Sequence, residues 1–359
     1  MFSNRTLKSQ AGFSMIELLV AMTTTIIILG ASLALVGSSI KFANTTYHLT
    51  DAEQSLRAAQ EVINRDLTTA GDGLNGIRKV TAPLTFAQSF LTRTPVLDGS
   101  DTTHADVGLL TSDDSIPAST AVPQANPAVN FLGGTDRITM LAKDTYFPDV
   151  SVAAAKLTQV GSNTLAIVSP ADTGRFQVGE IYALVSGDAA FGVLSSISTI
   201  TNTLTFSNGD VYSINQTGAT SPIYDVGLLN GSLISTQPVS IVRFQIIEYY
   251  VDANNLLHRR VFGVKGAGFS DSVIAEHVTN LQFRYLTNVP DANGFIKQPL
   301  NVITSNEQTA VREVETTIAV ETAKAVNSIT NTNPTGKQSI SSTTATTVRN
   351  LQFRNALSP

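Results

Sequence analysis

The chain has 359 residues, of which 14% are charged, with a net charge of −5 and a positive mean hydropathy. So few cations, without a broad basic patch, argue against nucleic-acid binding. Cysteine is absent, which excludes disulfides and thiolate metal sites, so the fold must rest on an apolar core and backbone hydrogen bonds.

Residues 1–12 form a short polar leader carrying Arg5 and Lys8 and no acid. From Phe13 to Val36 the only charge is Glu17, and there is no proline. A helix rising ~1.5 Å per residue would make this run roughly 36 Å long, enough to cross a ~30 Å hydrocarbon core with some tilt. The basic leader favours a cytoplasmic N-terminus. In an ordinary secretory signal the apolar segment precedes a small-residue cleavage site. Here the small residue, Gly12, comes first, so a cut after it leaves the anchor on the mature chain.

A carboxylate within such a span costs several kcal/mol unless it is paired, hydrated or close to the interface. Two readings of Glu17 follow. It is an interfacial acid that needs no partner, or it neutralises an amine freed on Phe13, one helical turn away, on a neighbouring subunit. Inside lipid such an attraction is poorly screened.

Gly12-Phe13-Ser14-Met15-Ile16-Glu17-Leu18-Leu19-Val20-Ala21-Met22 resembles the class III signal of type IV prepilins, shared with the pseudopilins of type II secretion. Gly12, Phe13 and Glu17 match that pattern directly. Ser14 and Met15 replace the commoner Thr-Leu, a change expected to matter little. The resemblance implies that a prepilin peptidase cuts between Gly12 and Phe13 and N-methylates Phe13, and that Glu17 guides docking into a filament. It further implies a bacterial inner-membrane protein, single-pass, with its ectodomain in the periplasm until assembly carries it to the pilus.

Beyond the span, Leu49, Ala52, Leu56, Ala59 and Ile63 recur at three- and four-residue steps, one apolar stripe of a helix. Glu53 with Arg57 and Glu61 with Arg65 are acid-then-base pairs four residues apart. The spacing predicts a helix through about Thr69, stopped by Ala70-Gly71-Asp72-Gly73. From 74 to 130, five prolines and a polar run from Asp98 to Ser115 indicate loops and short elements. Asp98, Asp101, Asp106, Asp113 and Asp114 offer oxygen ligands to calcium, but no twelve-residue loop pattern fits them.

From Thr135 the pattern turns to strands: Arg137–Leu141, Thr164–Val168, Glu180–Val185, Phe191–Ile197 and Thr203–Phe206, with turn residues between them. Residues 150–215 are expected to form a compact β insert on the main sheet. Val242–Val251 and Leu256–Phe262 flank Asp252-Ala253-Asn254-Asn255 as a hairpin. Ile274–Leu286 reads as one strand, and Arg312–Thr322 alternates with Val314, Thr316, Ile318 and Val320 on one face. A Ser/Thr/Asn-rich loop from Ala325 to Thr343 leads to a last strand near Thr346–Arg354. Val278–Arg284 and Val348–Arg354 share six of seven letters.

The hairpin and the two Asn-Leu segments resemble PilW-type minor pilins and, more loosely, J-type pseudopilins. The expected fold is α+β: a long N-terminal helix, transmembrane in its first half and amphipathic in its second, packed on a mostly antiparallel β-sheet ectodomain with a β-rich insert. The expected segments are a leader at 1–12, the span at 13–37, the amphipathic half at 38–70, a loop-rich start at 71–149, the insert at 150–215 and a sheet region at 216–359.

Chemistry leaves little trace. His48, His104, His258 and His277 lie apart, and there is no nucleophile turn, phosphate loop or dinucleotide fingerprint. No enzyme activity, cofactor or metal is expected. A minor pilin of a tip or priming complex leads; alternatives are a type II pseudopilin, a filament-displayed adhesin using 98–125 and the insert, and an anchored hydrolase built from distant residues. The expected partners are the peptidase, other minor and major pilins or pseudopilins, the inner-membrane assembly platform and membrane lipid, with no nucleic acid.

Overall fold

The computed structural model describes residues 12–71, 79–91, 104–108, 110–144, 146–161, 163–186, 188–216, 221, 223, 234–264, 268–290, 294, 299–303, 307, 310–326 and 335–348. The leader at 1–11, Asp72 and Gly73 of the expected helix stop, Asp98 and Asp101, and residues 349–354 of the expected last strand lie outside them. The chain divides into two compact units, residues 1–51 with 322–338 and residues 52–321 with 339–359.

Helix α1 spans Met15–Thr69. In the first unit every residue from 12 to 36 is exposed, and this helix is long and apolar enough to cross a membrane. In the second unit Ala52, Leu56, Ala59 and Ile63 of the stripe are buried, as is Leu67 one turn on. The helix stops at Gly71, whose φ of 74° is the left-handed value that favours glycine after a last turn. Its N–H, left over from the helix, donates to Leu141 O at 2.8 Å. Glu53 and Arg57 pair at 3.4 Å on the exposed face. Arg65 instead lies 3.6 Å from Asp66.

The elements that follow are β1 (Lys79–Pro83), α2 (Leu84–Phe90), β2 (His104–Gly108), β3 (Leu110–Asp113), β4 (Arg137–Lys143), β5 (Val150–Val152), β6 (Leu157–Val160), β7 (Asn163–Ile167), α3 (Pro170–Thr173), β8 (Ile181–Ser186), β9 (Asp188–Val193), β10 (Ser196–Ser198) and β11 (Thr203–Ser207). Then come β12 (Val239–Val251), β13 (Leu257–Val264), β14 (Gly268–Ala275), β15 (Val278–Thr287), β16 (Val311–Glu321) and β17 (Ser339–Thr347). Most pairs are antiparallel; β1 and β9 run parallel where Thr81 meets Ala190.

The largest sheet runs β14-β13-β12-β8-β9-β1-β2, with β4 and β5 also on β12 and β3 on β4. Strand β12 is its spine: its first residues pair with β8 and β5, and its later ones with β4 and β13. Phe86 and Phe90 of α2 pack on Tyr212 and Phe262 with ring centroids 5.4 to 6.5 Å apart, which seats a proline-led segment in the core.

Four sequence expectations are sharpened or corrected here. Of residues 150–215, expected as a compact β insert on the main sheet, β5, β8 and β9 belong to that sheet themselves, while β10-β11-β7-β6 make a four-stranded sheet. The two share one core of Tyr182, Leu184, Leu157, Ala166, Leu204 and Phe206. Gly192 permits this closeness, because a Cβ there would fall 2.9 Å from the Phe206 ring. The expected strand Phe191–Ile197 is split, its halves belonging to different sheets. Ile274–Leu286 is also two strands, parted at Glu276-His277, where His277 takes a φ of 58°. Finally, β17 starts at Ser339, inside the expected loop.

Asp136 and Asp271 cross-link strands and respond to pH in opposite senses. Asp136 accepts the N–H groups of Ser115 and Phe283 at 3.0 and 2.7 Å. Burial, helped by the neighbouring Asp114, outweighs those bonds and pushes its carboxyl up to about 6. The folded chain therefore binds more protons here than the unfolded one between about pH 4 and 6, and stability falls as pH rises through that window. Burial would also raise Asp271, but hydrogen bonds from His258, Arg260 and Tyr250 and the Arg260 charge win, lowering it to about 2. Its contribution is complete above about pH 4 and is lost as pH falls toward 2. Unfolding curves measured from pH 2 to 7 are expected to lose the descending slope in Asp136→Asn and the acid slope in Asp271→Asn. Unchanged slopes in both variants would refute these assignments.

Candidate functional site at the head of the N-terminal helix

Gly12 and Phe13 precede α1 outside any helix or strand, and Phe13 is 83% exposed. A peptidase would meet no packed structure at this bond among the described residues. Ser14 is the N-cap. Its Oγ accepts the Glu17 N–H at 3.3 Å, and Glu17 Oε2 accepts the Ser14 N–H at 3.0 Å. This reciprocal capping box satisfies two backbone donors that a helix start leaves unbonded.

Glu17 is thus held by its own chain, a third role beside the two readings above, and Ser14 matters more than expected. The S-x-x-E spacing before an apolar run carries that signal in the sequence. A carboxylate has two oxygens and about four acceptor positions, so one N–H leaves Glu17 able to meet a cation.

The apolar run that follows carries Thr23, Thr24 and Thr25, with Ser38 and Ser39 just beyond it. Thr23, Thr24 and Thr25 donate to carbonyls three or four residues back at 2.7 to 3.0 Å. Ser38 and Ser39 both donate to Leu35 O at 2.9 Å. No hydroxyl donor among these five is left without an acceptor, which suits a helix in lipid.

The second unit holds polar clusters of another kind. Arg137 donates to Asp113 at 2.7 Å and lies 3.4 Å from Glu248. Arg243 binds Asp144 and, at 3.0 Å, Glu180. His258 sits between Asp271, at 2.9 Å, and Asp252, at 3.5 Å, with its ring stacked on Tyr250. Sequence spacing gave no hint of this grouping around His258. No cluster of three or more metal-type ligands occurs among the described residues, and Asp113 and Asp114 of the acidic run bond Arg137 and Ser115.

A cleft of about 430 Å³ is walled by Val178, Val193, Asn208, Val211 and Gly268. Asp210, also in its wall, accepts three backbone N–H groups, from Tyr212, Ile214 and Asn215. Those bonds shape the turn after β11. No known protein family matches the chain, and no curated protein or solved structure is similar to it.

Proposed function

We propose that the protein is a minor type IV pilin, a structural subunit that joins other pilins in a tip or priming complex through its N-terminal helix. The reading rests on one combination: Gly12, Phe13 and Glu17 at the head of a 55-residue helix, with every residue from 12 to 36 exposed. An apolar helix bare over that length needs lipid or other helices around it. After cleavage at Gly12, each copy offers an amine on Phe13 and an acid on Glu17 about one turn apart. Neighbouring copies can then match amine to acid as their helices pack side by side.

In this reading prepilin peptidase processes the chain at the inner membrane, the assembly platform lifts it from the bilayer, and the β-rich part is displayed outside. Mass spectrometry of the N-terminus from native membranes tests it. The expected result is a chain that starts at Phe13 and is heavier by one methyl group. A chain that keeps residues 1–12 while the peptidase is active overturns the proposal.

A further inference from the structure

Helix α1 stays bare well past its apolar run. None of residues 37–51 is buried, and Ile40, Phe42 and Tyr47 are 56%, 74% and 68% exposed. Further along the same helix, Ala52, Leu56, Ala59 and Ile63 are buried because they share one face. Ile40, Phe42 and Tyr47 share no face. At ~100° per residue, Ile40 and Tyr47 lie on one side of the helix and Phe42 roughly opposite. One protein surface cannot cover both sides, whereas a solvent that surrounds the helix can.

The polar groups of this stretch show which solvent that is. Lys41 is the only lysine, arginine or acid between Glu17 and Asp51. Neither its ammonium nor the Asn44 amide has a partner among the described residues. Unbonded, both are costly among lipid tails. Bulky rings beside unsatisfied polar tips suit the headgroup layer instead, where one end of a side chain is in an apolar setting and the other is wet.

The spacing agrees. Lys41 follows Glu17 by 24 residues, ~36 Å along the helix, so with Glu17 near one boundary of a ~30 Å hydrocarbon core Lys41 lies just past the other. Phe42 and Tyr47 stand ~7.5 Å apart along the axis, close to the ~5–8 Å depth of one headgroup layer.

We propose that residues 40–47 form a collar for phospholipid headgroups on the membrane face opposite the leader. The Phe42 and Tyr47 rings lie among the headgroups, and the Lys41 ammonium binds the phosphate of an anionic phospholipid. The collar sets how deep the helix sits, and so keeps Glu17 at the other boundary, where water reaches it. This inference rests on the membrane reading of residues 12–36, but not on cleavage or filament assembly.

The absence of tryptophan makes a fluorescence test clean. The full chain is placed in vesicles of equal parts phosphatidylcholine and phosphatidylglycerol, with one tryptophan introduced at a time. Phe42→Trp reports on the collar, Ile27→Trp on the middle of the apolar run, and Tyr146→Trp, at a position 95% exposed in the other unit, on water. Lipids brominated near the headgroup are expected to quench Phe42→Trp most, lipids brominated deep in the tails to quench Ile27→Trp most, and aqueous acrylamide to quench Tyr146→Trp. Acrylamide quenching of Phe42→Trp as strong as that of Tyr146→Trp, with Ile27→Trp still quenched by lipid, overturns the collar alone. Quenching of Phe42→Trp by neither agent shows a second copy covering the ring, and also overturns it. Acrylamide access to Ile27→Trp removes the membrane reading, and the collar with it. With bromine on one lipid class at a time, phosphatidylglycerol is expected to be enriched about fivefold beside Phe42→Trp, and Lys41→Gln to abolish that preference. Equal quenching by the two classes with Lys41 present refutes the phosphate contact.

Discussion

Glu17→Ala is expected to leave cleavage after Gly12 intact yet reduce entry into filaments by roughly tenfold or more, the scale of losing an ion attraction in a poorly hydrated setting. Alanine alone does not isolate that attraction. It also removes the acceptor of the Ser14 N–H and so opens the capping box at the helix start. Glu17→Gln separates the two effects, because a glutamine oxygen can still accept from Ser14 while carrying no charge. If charge drives docking, Gln and Ala assemble equally poorly. If the cap is what counts, Gln assembles like the parent and Ser14→Ala becomes the defective variant, since it strips the acceptor of the Glu17 N–H. The measurement is the pilin content of sheared filaments against the processed pool in membranes. Wild-type incorporation of Glu17→Gln would remove the pairing mechanism while leaving the processing assignment untouched.

What the sequence discloses depends on whether a residue's role is local. The helix stripe of Ala52, Leu56, Ala59 and Ile63 and the alternation of Val314, Thr316, Ile318 and Val320 are periodic burial patterns, and all eight residues are buried as read. Strand β17 escaped because Ser-Ile-Ser-Ser-Thr-Thr-Ala-Thr-Thr has almost no apolar alternation; its pairing is specified by β16. The break between β14 and β15 escaped because Glu276-His277 contains neither glycine nor proline. The turn is held from elsewhere, by Val278 N–H on Asn255 O and by Glu321 N–H on His277 O. At the helix head, Gly12, Phe13 and Glu17 stand out in sequence, and the cap at Ser14 is equally local but was hidden behind the membrane reading. Asp66 is the opposite case. Its partner Arg259 lies 193 residues away, a distance over which no spacing rule operates.

That partnership supports the second large effect, a loss of about 2–4 kcal/mol in Asp66→Ala. Asp66 is 5% exposed, and its Oδ2 accepts both Tyr249 Oη–H at 2.7 Å and Arg259 Nε–H at 2.6 Å. It thereby pins the last turns of α1 to β12 and β13. Breaking a buried pair by removing one member costs about 3–5 kcal/mol, because the other charge stays behind uncompensated. The lower range applies here, since the Arg259 side chain keeps 22% of its exposure and water can reach part of it. Tyr249 would be left with Val62 O at 3.4 Å, a long bond. Tyr249→Phe, which removes one hydrogen bond and no charge, is expected to cost only about 1 kcal/mol. Denaturant unfolding of the full chain in detergent measures both variants. A double mutant of Asp66 and Arg259 to alanine should lose less than the sum of the single losses, because neither charge is then stranded. Additive losses would show that the ion pair is not what holds α1 to the sheet. Because Asp66 lies far along α1 from Gly12 and Phe13, Asp66→Ala should still be processed at its N-terminus, with proteolysis attacking the loosened β-rich unit instead.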